Sequence, residues 1–148
     1  LVDVGQKAVS STAGHALMEG HPFAAQRFAQ AHTHLARLQT ILAEGDVGAF
    51  LDLVEGEALT LHGLMMSSSP SYLLMRPQTL AILEAIRVYR KETGLPIGFT
   101  LDAGANVHVL FPEEAEQKAM VFVKDVLAPF AKDGRFIADR IGAGPLPL

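Results

Sequence analysis

The chain has no cysteine among its 148 residues, which excludes disulfide scaffolds, thiolate zinc sites and thiol catalysis together. It has no basic surplus either. Twelve Lys+Arg against sixteen Asp+Glu leave a formal charge of −4, contrary to the electrostatic footprint of a nucleic-acid-binding domain. Apolar stretches are short and interrupted, so no membrane span is expected. Repeats, low-complexity tracts and charge runs are missing too. What is present is apolar: 49% hydrophobic against 19% charged residues is enough for a buried core, which excludes disorder as the default. The length suits one domain. The first residue is Leu1 rather than Met, and the chain opens in a strand-like run over residues 1–4. The expectation is a piece cut from a longer protein.

After Gly5 a hydroxyl-rich cluster, Ser10-Ser11-Thr12-Ala13-Gly14, reads as a turn into a helix N-terminus. Pro22 is expected to start a longer helix whose Phe28, Ala31, Leu35, Leu38 and Leu42 step by three and four, a narrow buried stripe. Gly45 stops it and Asp46 can cap the next helix, where Val47, Leu51, Val54, Ala58, Leu61 and Met65 repeat the stepping. The two form an α-hairpin. Ser67 to Ser71 is a loop. Pro77 suits the first turn of a third helix, ended near Thr93 by Gly94-Leu95-Pro96. The period then changes to two. Ile97, Phe99 and Leu101, then Val107, Val109 and Phe111, give two strands joined as a hairpin through Asp102-Ala103-Gly104-Ala105-Asn106. A fourth helix is expected over 113–128 with Ala119, Phe122, Val123, Val126 and Leu127 inward, and a last strand over 135–140. The expected fold is α+β: a small four-stranded, largely antiparallel sheet with helices packed on one face.

Two segments can carry chemistry. Hydroxyls and free backbone N–H groups at a helix start, as in Ser10-Ser11-Thr12, form an anion site; the same residues also serve as a plain N-cap. In Asp102-Ala103-Gly104-Ala105-Asn106 a strand delivers a carboxylate to its end, followed by small residues that admit a ligand. That carboxylate is available as a base or as an acceptor for a hydroxyl. The same five residues also suit a hairpin loop, with Asp and Asn bonding locally and Gly supplying positive φ.

Taken together, Val9-Ser10-Ser11-Thr12-Ala13-Gly14 and Phe99-Thr100-Leu101-Asp102-Ala103-Gly104-Ala105-Asn106 resemble the C-terminal half of diphosphomevalonate decarboxylases, of the galactokinase, homoserine kinase and mevalonate kinase superfamily. That family writes the motifs V-S-S-T-x-G and (Y/F)-T-x-D-A-G-P-N. Glu57 to His62, Pro70 and Tyr72 resemble its acidic residue, its Leu/Phe-His pair and the Pro and aromatic that follow. The resemblance implies a ferredoxin-like C-terminal domain spanning residues 1–148, with an ATP-binding N-terminal domain absent from this chain. It implies an ATP- and Mg²⁺-dependent enzyme that phosphorylates the 3-hydroxyl of mevalonate 5-diphosphate, then releases phosphate and carbon dioxide to give isopentenyl diphosphate. On that resemblance Asp102 is the catalytic carboxylate. Ser11 binds substrate with Ser10 and Thr12 beside it, and Ala103 and Gly104 offer close backbone. A cytoplasmic location and a homodimer are further implications, and the chain alone is expected to be inactive.

Departures bear on the substrate. Ala105 stands for the family's Pro, which should loosen the loop; Thr12 stands where some members carry Arg; His15 stands for Met. Mevalonate 5-monophosphate or free mevalonate are therefore alternative substrates, and a kinase that stops at phosphoryl transfer, or a stand-alone metabolite-binding module, are alternative functions. No metal site is expected: His32 and His34, two apart on a helix, lie on opposing sides, and His62 is read as packing or hydrogen-bonding behind the active edge. Gly142-Ala143-Gly144-Pro145 lacks the following helix of a phosphate loop.

Overall fold

The computed structural model describes residues 16 and 18–142. The expected opening strand and the Ser10-Ser11-Thr12 segment lie outside the described residues. Helix α1, Ala24–Glu44, ends at Gly45 in the left-handed region, φ 69°, with its N–H returned to Ile41 O. A residue with a side chain would be strained there. Asp46 then caps α2, Val47–Ser67, by accepting the Ala49 N–H at 2.9 Å. The α-hairpin forms as the Gly-Asp pair dictates.

The buried face of α1 differs from the expected stripe. Phe28, Leu35 and Leu42 are 57, 56 and 61% exposed, and the residues turned toward α2 are Arg27, His34 and Ile41. The cause is polar. Glu57 on α2 receives Arg27 Nη2 at 2.5 Å and the His34 Nδ1–H at 2.5 Å. These partners recur every seven residues with Ile41 below them, so they set the rotation of α1 about its axis. Apolar periodicity finds an apolar arc but does not say which part of it meets the neighbour.

Helix α3, Pro77–Thr93, begins with Pro in its first turn and ends at Gly94, φ 69°. Strands β1, Gly98–Leu101, and β2, Val107–Leu110, pair antiparallel with Phe99 opposite Val109 and Leu101 opposite Val107. These four residues share one face of the hairpin and belong to a core with Ile82, Leu83 and Ile86 of α3 and with Ala119, Phe122, Val123 and Leu127. Ile86, Ile97 and Phe99 are wholly buried.

The fourth helix is interrupted. A 3₁₀ turn, Glu113–Ala115, leads into α4, Glu116–Phe122; a π-helical turn, Val123–Leu127, and a further 3₁₀ turn, Ala128–Phe130, follow. The wider π winding carries Leu127 rather than Val126 to the inner face after Val123, which corrects the expected inward Val126. Residues 135–142 form no strand, and the sheet among the described residues has two strands rather than four. The alternating pattern there has another origin. Only Phe136 packs on the core, while Arg140 bonds the Glu116 carboxylate at 2.9 Å.

One ionic contact seats the hairpin on the helices. Glu55 of α2, almost wholly buried, receives Arg90 Nη1 at 2.6 Å and Nη2 at 3.1 Å, and Nη1 also donates to Ile97 O at 3.0 Å. The hydrogen bond that Arg90 donates to Glu55, more than the carboxylate's charge, holds the guanidinium above its ordinary range against the opposing effect of burial. Gly98 lies against this pair. A Cβ there would come 2.7 Å from Glu55 Oε1 and 2.8 Å from Leu51 Cδ2, so a side chain at this strand position would force the ends of those two side chains to shift. Arg90→Ala leaves the buried Glu55 carboxylate with only the longer contact to Arg87 Nε at 3.8 Å and is expected to lower stability by about 2–3 kcal/mol, below the fully buried range because Arg90 keeps some water and Arg87 remains. Urea unfolding measures it; a loss below about 1 kcal/mol would show that the pair does not seat β1.

Candidate functional site

β1 delivers Asp102 to its C-terminal end, where the chain turns through Ala103, Gly104, Ala105 and Asn106 into β2. The backbone of this turn is held from three directions. The Gly104 N–H donates to Asp102 O at 2.7 Å, and the His62 Nε2–H of α2 donates to the same carbonyl at 3.1 Å. At the other end the Thr79 hydroxyl of α3 donates to Ala105 O at 2.7 Å. Ala105 itself is buried. The expected loosening by Ala105 therefore meets a turn whose carbonyls are tied to two helices.

The Asp102 side chain is in the opposite situation. It is 91% exposed, and its nearest ionic partner is His108 Nε2 at 3.4 Å from Oδ2. His108 stands opposite Thr100 in the ladder, on the hairpin face turned away from Phe99 and Leu101. A fixed backbone with a carboxylate free in solvent suits a group that must meet an incoming hydroxyl. No heavy atom lies within 4 Å of a Cβ built on Gly104, so the space over the turn is open to a ligand. Asp102, Ala103 and Gly104 are thus brought together. Ser10, Ser11 and Thr12 lie outside the described residues.

Two further features belong to the site. Thr79 is wholly buried and carried no local signal beyond a helix start, since its partner Ala105 is 26 residues away. Asn106 Oδ1 is the one buried side-chain acceptor without a hydrogen bond among the described residues. Such orphans in native structures call for a donor from a ligand, a water or another segment. Glu57, by contrast, faces α1 and takes no part in the turn.

A family model, the mevalonate 5-diphosphate decarboxylase C-terminal domain, matches residues 1–142. The chain belongs to that family.

It is 30% identical over 107 residues to the phosphomevalonate decarboxylase of Haloferax volcanii, a match covering 72% of this chain and 33% of that protein. It is similar to the solved mevalonate diphosphate decarboxylase of Legionella pneumophila, at 27% identity and TM-score 0.78, covering 85% of this chain and 40% of that one. A further solved structure, MDDEF in complex with MVAPP, AMPPCP and magnesium, has TM-score 0.78 at 24% identity over 85% of this chain and 38% of that one. The last likeness concerns the fold alone. The chain spans a third to two fifths of the length of these relatives.

Among the described residues no three His, Asp or Glu side chains converge as a cluster of metal ligands. No described helix is long and apolar enough to cross a membrane.

His62, on which the turn depends, is almost wholly buried, and burial pushes its pKa below 6.5, partly offset by the bond to the Asp102 carbonyl. It is held neutral in the fold. An unfolded chain binds the His62 proton more readily, so this contribution is complete above pH 6.5 and fades as pH falls from there through the folded value. His62→Gln is expected to be less stable than the native chain at pH 8, with the gap narrowing toward pH 5. Urea midpoints of both proteins across this range check it; a gap that widens on acidification would contradict a neutral His62.

Proposed function

We propose that this chain is the substrate-binding and catalytic domain of an ATP-dependent decarboxylase that converts mevalonate 5-diphosphate to isopentenyl diphosphate. The observation that carries the reading is Asp102: a solvent-facing carboxylate at a strand end, on a turn whose backbone is held by His62 and Thr79. In this reading the carboxylate accepts a hydrogen bond from the 3-hydroxyl, orients its oxygen and takes its proton as that oxygen is phosphorylated. The Mg²⁺ nucleotide supplies the phosphoryl group. Loss of phosphate, with the electron pair of its C–O bond, is then matched by release of carbon dioxide, whose C–C pair becomes the new double bond. Ala103 and Gly104 let the substrate approach the turn, and Ser10, Ser11 and Thr12 bind its phosphates.

The nucleotide is assigned to an N-terminal domain beyond this chain, consistent with a span of 33–40% of the relatives and with a sequence that has no glycine-rich phosphate loop. Exposed Met66, Leu73 and Leu80, near the ends of α2 and α3 that hold the turn, support a second domain resting there. By the same reading the chain alone is inactive and the whole protein cytoplasmic. A second reading, with mevalonate 5-monophosphate as substrate, is favoured by the phosphomevalonate decarboxylase of Haloferax volcanii.

The test uses the full-length protein with ATP, Mg²⁺ and each mevalonate phosphate in turn, following ADP and carbon dioxide separately. Release of both from the 5-diphosphate is expected; ADP without carbon dioxide would make the protein a kinase. Asp102→Ala is expected to lower turnover by about 10²–10⁴-fold while nucleotide affinity stays unchanged; preserved turnover would remove Asp102 from the reaction. Ser11→Ala is expected to raise KM for the mevalonate phosphate more than it lowers kcat, as a binding role requires. An unchanged KM would reduce Ser11 to a helix cap.

A further inference from the structure

Thr79 combines three properties that a helix cap does not require together. It is wholly buried, its Oγ1 accepts the Arg76 N–H at 3.1 Å, and it donates to Ala105 O at 2.7 Å. The acceptor side completes the start of α3, where four N–H groups have no helical partner. Glu is the commoner residue for that task at the third helical position. A carboxylate, however, has no proton to pass on. A hydroxyl accepts from one side and donates to the other, and the Arg76 N–H commits the Thr79 proton to the carbonyl of Ala105. The residue type therefore matches the second bond, which reaches the turn that carries Asp102.

We infer that Thr79 is a positioning residue for Asp102. His62 holds the entry of the turn at Asp102 O and Thr79 holds its exit at Ala105 O, so the two bonds bracket the residues from which the carboxylate projects. With the exit released, the carboxylate keeps its chemistry but is no longer held at one distance from the hydroxyl it must deprotonate. Misplacement of a reacting group by about 1 Å can cost roughly 10²-fold in rate. The effect falls on turnover rather than on substrate affinity, because Thr79 is wholly buried and its hydroxyl is committed to Ala105 O. This inference rests on Asp102 acting as the base.

The experiment compares Thr79→Val, which keeps the shape and removes the hydroxyl, with Thr79→Ser, which keeps the hydroxyl, in the full-length protein. Two readouts are taken: kcat and KM with the mevalonate phosphate turned over, and amide hydrogen exchange at Gly104, Ala105 and Asn106. For Thr79→Val we expect kcat to fall by about 10–100-fold, KM to stay within about twofold, and exchange to accelerate in the turn but not in α2 or β1. Thr79→Ser restores both. Native kcat and native exchange in Thr79→Val would overturn the inference, as would a drop in kcat that Thr79→Ser fails to restore. If Thr79→Val does not fold, Thr79→Cys, nearly isosteric with a weak donor, takes its place under the same criteria. Should the native protein turn over no mevalonate phosphate, the proposed function fails, and the exchange readout still decides whether Thr79 holds the turn.

Discussion

The pairing of Glu55 with Arg90 is the contact on which the arrangement of the domain rests. It joins α2 to α3, and the same guanidinium donates to Ile97 O at the threshold of β1. Three elements, of which α2 is distant in sequence from the other two, thus meet at one ion pair. Gly98 completes the junction, because a side chain there would push the ends of Glu55 and Leu51 from their places. Once β1 is seated at this end, its direction is constrained: α2 runs beside it, and one helical stretch further on His62 comes level with Asp102. An ion pair at one end of the strand consequently helps set the height at which the carboxylate emerges at the other. Buried charge is an uncertain source of net stability but a specific source of geometry, and here the geometry is what the site uses.

The division of labour at the turn follows from the same economy of contacts. Hydrogen bonds from His62 and Thr79 fall on carbonyls, not on the Asp102 carboxylate. Had either donor bonded the carboxylate, it would have fixed the group while weakening it as a base, since a bond to the charged form favours that form. Fixing the backbone restrains the position and leaves the carboxylate oxygens open to an incoming hydroxyl. Neutral donors suit this role. Burial keeps His62 neutral, so it adds no positive charge beneath the aspartate, and Thr79 carries none at any pH of interest.

Much of the fold was legible because local rules specify it. Gly45-Asp46, Pro77 and Gly94 punctuate the helices by backbone freedom, side-chain capping and ring constraint, none of which needs a distant partner. The change of period at Ile97 identifies the hairpin, and the residues between its strands identify Asp102. Other features lay beyond such rules. The rotation of α1 is set by Glu57, 23 residues from His34, and Phe28, Leu35 and Leu42 are as regular in sequence as a buried stripe. The π turn over Val123–Leu127 shifts the inner face by one residue with no breaker to announce it. Residues 135–140 alternate, yet only Phe136 has a core to enter. Thr79 reads as a helix start because its second bond crosses 26 residues. Contacts between distant positions decide the rotation of α1, the place of Phe136 and the second bond of Thr79.

Charge accounts for the remaining feature, the absence of a basic surplus. An anionic substrate, as proposed, would need cations, but Arg27 and Arg90, set between helices, are already bound to Glu57 and Glu55. Redirecting either toward a phosphate would leave a carboxylate between helices with its weaker partner alone, His34 for Glu57 and Arg87 for Glu55, at a cost in stability that is larger for the buried Glu55. These arginines are therefore tied to architecture. A domain organised in this way is suited to orienting a hydroxyl and receiving its proton rather than to neutralising several phosphates. On the proposed reading its negative balance thus fits a partition of the active site: the base and its support reside in this domain, and most of the positive charge resides in the domain that holds the nucleotide.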